Sequence, residues 1–184
     1  MKKLAILFPG IGYHVDKPLL YYSKKLAVAN GFEVMEVPYG NFPEGVKGSL
    51  QKMKEAFDSA VKQSECILQD VKFEQYDKIL FISKSIGTAV AAAYATRHNL
   101  QTYNIFYTPV EASIDFMNQP GIVFHGTEDA WVDSKNLVAL CQQKGYKVEI
   151  TQKANHSLET GNVQTDLYNL KTIMTATEQY IGSI

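Results

Sequence analysis

The stretch Lys78-Ile-Leu-Phe-Ile-Ser-Lys-Ser-Ile-Gly-Thr-Ala-Val-Ala-Ala-Ala-Tyr94 changes secondary structure without a connecting loop. An apolar β-type run, Ile79 to Ile82, stops at Ser83-Lys84-Ser85-Ile86-Gly87 and passes straight into an alanine-rich helical run. The pattern reads as a strand, a one-residue corner and a helix. Ser85 sits on the corner, with the small residues Ser83 and Gly87 two places to either side. A serine held there cannot fold back onto its own strand or helix. Its hydroxyl points outward over a helix N-terminus, where backbone N–H groups can stabilise an anion.

Further strand-like runs flank this unit. They lie at Leu4–Phe8, Glu33–Pro38, Tyr103–Tyr107, Gly121–His125 and Tyr146–Thr151, with Lys78–Ile82 third in order. The first, third and fifth are nearly all apolar, as strands buried on both faces are. Helical segments separate them: Lys17 to Asn30, ending at an Asn30-Gly31 C-cap signal; Val46 to Val71; Ile86 to His98; Ser134 to Lys144, ending at Gly145; and Val163 to Tyr180. The Gly- and Pro-containing stretch Tyr39–Gly48 is the most flexible-looking loop. Alternating strands and helices imply an α/β fold with a mainly parallel sheet of six strands and helices on both faces. No linker divides residues 1–184, so a single domain is expected.

Composition limits the function classes. The chain has 184 residues, 46% hydrophobic and 20% charged, with a formal net charge of −1. Such a balance gives no electrostatic reason to expect a nucleic-acid partner. The two cysteines, Cys66 and Cys141, are too few and too far apart for a disulfide framework or a metal knuckle. The first apolar run breaks at Pro9-Gly10, too early for a signal peptide, and no run is long enough for a membrane span. A cytoplasmic protein that needs no membrane, metal or organic cofactor is the expectation.

In parallel α/β sheets, ligands bind beyond the carboxyl ends of the strands. Five places satisfy that filter: Pro9–His14, Ser83–Ser85, Tyr107–Thr108, Gly126–Asp133 and Gln152–Ser157. A serine hydroxyl needs a base, and the base needs an orienting acid. Asp129 follows the fifth strand and His156 the sixth, so both fall on the rim that carries Ser85. Asp133 or Ser134 is better placed than Asp129 to cap the next helix. Of the other histidines, His98 sits at a helix end and His125 closes a buried strand, both structural positions. Ser83 is read as packing or capping. Two N–H donors are required for an oxyanion: Ile86 at the start of the helix supplies one. Ile11 in the Pro9-Gly10-Ile11-Gly12 turn is the choice for the second, with Gly12 its alternative. Tyr13, His14, Lys84, Tyr107, Thr108 and Trp131 flank this rim and are candidates for substrate contact alongside Gly12. Lys84 is also readable as a solvated or snorkelling side chain. As it is the one cation the motif puts at the rim, a strongly anionic substrate is not expected.

Together, Ser83-X-Ser85-X-Gly87, the Pro-Gly-X-Gly turn, Gly126-X-X-Asp129-X-X-Val132 and Asn155-His156-Ser157 resemble the α/β-hydrolase superfamily. More narrowly the chain resembles the small dienelactone-hydrolase-like members, and the resemblance covers nearly the whole chain. The resemblance implies a serine hydrolase with Ser85 as nucleophile, Asp129 as acid and His156 as base. It also implies the sheet order 2-1-3-4-5-6. Three departures are visible. Ser83 stands where the elbow usually has glycine, and Pro9-Gly10 where His-Gly is usual. There is neither a pair of leading antiparallel strands nor an insertion after Tyr107 that could form a cap, so a shallow, open site is expected, suited to a small or exposed acyl substrate such as an ester or thioester.

Two other readings compete. A hydrolase fold acting only as a binding protein would keep the same residues without the chemistry. A nucleotide-binding module would use Gly10-X-Gly12 after the first strand and Glu36 for a ribose. Val15 stands where the third glycine of that fingerprint belongs, and Asp16-Lys17-Pro18 looks like a fresh helix start, too late for a pyrophosphate.

Overall fold

The apolar runs become β1 (Lys3–Phe8), β3 (Lys78–Lys84) and β5 (Gly121–Gly126), buried along almost their whole length. The computed structural model describes residues 1–46 and 48–184. Among these, β2 (Glu33–Glu36), β4 (Tyr103–Tyr107) and β6 (Lys147–Thr151) complete one sheet ordered β2-β1-β3-β4-β5-β6. Every neighbouring pair is parallel, so the expected order and direction hold throughout. The mixed sequences of β2 and β6 lie at the two edges, where one side of each strand lacks a partner.

Side-chain alternation sorts the core into two faces. Leu4, Ile6, Phe8, Ile79 and Phe81 pack against α2 (Leu50–Leu68) and α3 (Ile86–Arg97). Ala5, Leu7, Leu80 and Ile82 pack against α1 (Pro18–Ala29) and α6 (Val163–Ser183) on the opposite face. A third cluster joins Phe106 and Val123 to Leu137 and Cys141 of α5 (Ser134–Gln143). Helix α3 is buried from Ile86 to Ala95, which explains its run of alanines: no face of it needs to be polar.

Helix boundaries moved most at α2. The helix begins at Leu50, behind Gly48 at φ 82° and an N-cap Ser49 whose side chain accepts from Lys52 N at 3.3 Å. Lys47, inside the helix expected over residues 46–71, lies outside the described residues. A 3-10 turn at Phe73–Gln75 and a one-turn helix α4 (Glu111–Ile114) add to the expected elements. Strand β3 runs two residues further than expected, through Lys84, and delivers the corner directly.

One polar group ties the layers together. The Tyr107 hydroxyl hydrogen-bonds with Ser23 Oγ of α1 at 2.8 Å and Thr177 Oγ1 of α6 at 2.6 Å, all three fully buried. No helix among the described residues is long and apolar enough to cross a membrane.

Candidate active site

Ser85 occupies the N-cap position of α3 but does not cap it. Its backbone is held at φ 56° and ψ −126°, a conformation that L-residues rarely adopt. Ser85 N donates to Tyr107 O at 3.0 Å, and Thr88 Oγ1 donates to Ser85 O at 2.6 Å, so both sides of the corner are pinned. Gly87 shows why the motif needs a small residue after the corner. A Cβ there would lie 2.2 Å from Phe8 O and 2.5 Å from Pro9 O, so the start of α3 abuts the turn after β1. Ser83 is buried and donates to Ile105 O at 3.1 Å, the packing role assigned to it.

With its backbone fixed, the Ser85 hydroxyl donates to His156 Nε2 at 2.8 Å. On the other side of the ring, His156 Nδ1–H donates to Asp129 Oδ2 at 2.7 Å. That donation sets the tautomer that leaves Nε2 as an acceptor. Asp129 Oδ1 accepts from Trp131 N at 2.9 Å, so both carboxylate oxygens are engaged within a fully buried side chain. Burial alone would raise its pKa. The His156 hydrogen bond and charge, the Trp131 N–H and nearby His125 outweigh it and hold the carboxyl below its ordinary value. Asp129 therefore stays ionised at neutral pH.

Two loops carry these groups, and they are stitched to each other. Glu128 N donates to Ala154 O at 2.9 Å and Lys153 N to Thr127 Oγ1 at 2.8 Å. A Cβ at Gly126 would come within 2.4 Å of Ala154 O and 2.7 Å of Asn155 O. The β5 and β6 ends can approach this closely only because residue 126 is glycine. Asn155 builds the tight turn around His156: its Oδ1 accepts from Ser157 N at 2.7 Å and Glu159 N at 3.2 Å. Asp133, not Asp129, caps α5, accepting from Asn136 N at 2.9 Å.

The turn after β1 is closed by a pair of bonds, Gly10 N to Tyr13 O at 3.1 Å and Tyr13 N to Gly10 O at 3.2 Å. Those bonds use the N–H groups of Gly10 and Tyr13, leaving Ile11 and Gly12 as the donors of the turn that line the cavity beside Ser85. Ile86, first in α3, lines the same cavity and has no intrahelical acceptor for its N–H. The Pro9 carbonyl is turned away, accepting from the buried Tyr39 hydroxyl at 2.5 Å. The cavity has a volume of about 450 Å³, with Ser85, His156, Lys84 and Trp131 on its wall. Pro43, Glu44, Gly45 and Val46 close one side, so the loop after β2 supplies a wall that the absence of a cap did not suggest. Ile11 and Trp131 at the rim are 39% and 38% exposed.

The remaining candidates divide. Tyr13 and Gly12 line the cavity, and Trp131 stands 5.4 Å from the His156 ring, centroid to centroid. Tyr107 does not reach it: this side chain is the buried tie between α1 and α6. Thr108 is buried too, at φ 42°, and its hydroxyl donates to His156 O at 3.0 Å, supporting the histidine loop instead of touching a ligand. His14 is exposed, pairs with Asp16 at 3.7 Å and is absent from the cavity wall. Lys84 is neither solvated nor snorkelling; it is 1% exposed. His98 pairs with Glu65 and stacks on Tyr94, and His125 bonds Ser134 Oγ, both structural as read. Asn155, Gly126 and Tyr39 went unnoticed as positioning residues. A signal existed for the first two, since each already stands in one of the motifs that carry Asp129 and His156.

The nucleotide reading loses its geometry. Helix α1 begins only at Pro18, so no helix N-terminus of its own backs the Gly10–Gly12 turn, and Glu36 is paired with Lys24 at 2.8 Å. No group of three or more His, Cys, Asp or Glu among the described residues could hold a metal ion.

No protein-family model and no curated protein sequence matches the chain. Solved structures do. A candidate hydrolase of the α/β superfamily from Xanthomonas campestris pv. campestris is 12% identical, covers 100% of both chains and superposes with a TM-score of 0.72. An α/β serine hydrolase homologue from Coxiella burnetii is 16% identical over 95% of this chain and 84% of its own, with a TM-score of 0.67. An esterase from Pyrococcus furiosus is 12% identical over 99% of this chain and 83% of its own, with a TM-score of 0.64. At such identities the likeness is one of fold, and the fold is that of the α/β hydrolases.

Proposed function

We propose that this chain of α/β-hydrolase fold is a serine hydrolase acting on a carboxylic ester or thioester, within the cap-less, dienelactone-hydrolase-like part of the superfamily. One observation carries the reading: the continuous chain from Ser85 Oγ through His156 to the buried Asp129, at 2.8 and 2.7 Å. It starts from a serine at an N-cap position that makes no capping bond. A serine kept for structure would cap its helix. This one is turned away from that job and toward a base.

The proposed chemistry is acyl transfer to water. His156 Nε2 accepts the Ser85 proton as Oγ attacks the carbonyl carbon, forming the C–O bond of a tetrahedral intermediate. Its oxyanion accepts from the N–H groups of Ile86 and of Ile11 or Gly12. The imidazolium is stabilised by ionised Asp129, which holds the ring in place without taking the proton. His156 then protonates the departing alcohol or thiol. Water enters, gives a proton to His156 and releases the acid, and Ser85 recovers its proton. The esterase named above is a precedent on the same fold.

A fluorophosphonate probe with peptide mapping tests the assignment. It should modify Ser85 alone. A Ser85→Ala variant should lose at least about 10³-fold in kcat on short nitrophenyl esters, because the nucleophile and its base act as a unit. Labelling at another serine, or full turnover by Ser85→Ala, would remove the mechanism. A folded chain that neither labels nor turns over any ester of an acyl-length series would be a binding protein.

A further inference from the structure

Lys84 follows Leu80 and Ile82 on the α1–α6 face of β3, the face opposite Ser83. Where that face meets the site, the Lys84 ammonium lies 5.0 Å from the centroid of the Tyr13 ring. It is 1% exposed and lines the same cavity as Ser85. Among the described residues it has an aromatic face beside it but no oxygen within hydrogen-bond distance. Asp129 and Glu159 act on it only through space. The Nζ is not fully enclosed, so the cation faces the cavity, where the anion of a ligand can reach it.

Geometry also says which part of a substrate would supply it. The leaving group departs past His156, which must protonate it. Placing the leaving group past His156 leaves the Lys84 and Tyr13 wall of the same cavity for the part of the ester that stays on Ser85. Resting on the hydrolase reading above, we propose that Lys84 and Tyr13 form an acyl subsite that recognises a carboxylate carried a few bonds from the scissile carbonyl. The preferred substrates are half-esters or half-thioesters of short dicarboxylic acids. A single cation can serve here because it is held against the cavity wall, where its pull on a carboxylate is screened less than at an open surface.

The titratable groups acting on Lys84 are Tyr13 from the turn after β1, Asp129 from the loop after β5 and Glu159 from the loop after β6, and Glu44 and His156 line the same cavity. Burial pushes the lysine down to about 7 against the pull of Asp129 and Glu159. Tyr13 is held neutral, its pKa raised by burial. The free chain therefore carries the ammonium below about 7 and loses it above. Preference for a charged acyl group should fade over the same range, since kcat/KM reports the free enzyme.

The test compares kcat/KM for 4-nitrophenyl hemisuccinate and hemiglutarate with that for neutral 4-nitrophenyl valerate. Taking the ratio cancels the titration of His156 common to all three. The wild-type chain should favour the charged esters about tenfold or more at pH 6.5, with the ratio falling toward one by pH 8.5. Lys84→Met should invert the preference. If that variant does not fold, the wild-type ratio and its pH dependence decide alone. Turnover of the valerate with no preference for the charged esters at pH 6.5, or a preference that Lys84→Met leaves intact, would overturn the subsite and leave the hydrolase standing. Failure to turn over any of the three, with Ser85 unlabelled, would remove both.

Discussion

Ser85 is in a place where its residue type costs stability. A side chain at φ 56° and ψ −126° carries roughly 1–3 kcal/mol of backbone strain, which glycine does not feel. Ser85→Ala keeps the Cβ and the strain while losing the hydroxyl; Ser85→Gly loses both. The glycine variant should therefore be more stable than the alanine variant by about 1 kcal/mol, although glycine elsewhere weakens a helix start. Urea midpoints at equal m-values measure the difference. Equal midpoints, or a more stable alanine variant, would mean that the corner is relaxed and the strain argument is wrong. The corner itself was legible because apolar residues, two small residues and a run of alanines leave little else that stretch could form. Which flanking side chains reach the cavity was not. Tyr107 and Thr108 lie in the right loop by number, but alternation along β4 sends the first into the core. A positive φ turns the second toward the His156 backbone. Neither event leaves a mark in the sequence.

At the scale of elements, the sheet order and parallel direction could be read from six short runs and the helices between them. The contact between two loops could not. The acid and base are brought together by backbone approach, with Gly126 lying under the carbonyls of Ala154 and Asn155. Adding one methyl there must push the β5 and β6 ends apart. Gly126→Ala should destabilise the chain by about 2–4 kcal/mol. Whatever still folds should lose ester turnover more than it loses substrate affinity, because His156 moves relative to Ser85 while the cavity wall formed by residues 43–46 does not. Equilibrium unfolding and kcat against KM report the two effects separately. Wild-type stability in this variant would show that the loops have room to spare. The start of α2 is a further case of the same blindness: amphipathic spacing runs past Gly48, but its φ of 82° and the Ser49 cap begin the helix later.

Across the whole molecule, the buried tie of Ser23, Tyr107 and Thr177 links the first helix, a central strand and the last helix. Tyr107→Phe removes the shared hydroxyl and leaves two buried hydroxyls each one partner short. Ser23 keeps its bond to Leu19 O at 2.6 Å, which limits the damage. A loss of about 1–2 kcal/mol in unfolding free energy is expected, with kcat on short esters unchanged within about twofold because this side chain lies outside the cavity. A large fall in kcat at full stability would return Tyr107 to the list of substrate contacts.

The positions of the three linked residues in the chain have a consequence in time. Ser85 follows the third strand, Asp129 the fifth and His156 the sixth. During synthesis from the N-terminus, the corner that holds the serine can form well before either loop that would activate it has been made. On the proposed chemistry, a nascent chain carries its nucleophile unarmed until the last strand docks. Reactivity then arrives in one step, when the loop after the sixth strand closes against the loop after the fifth.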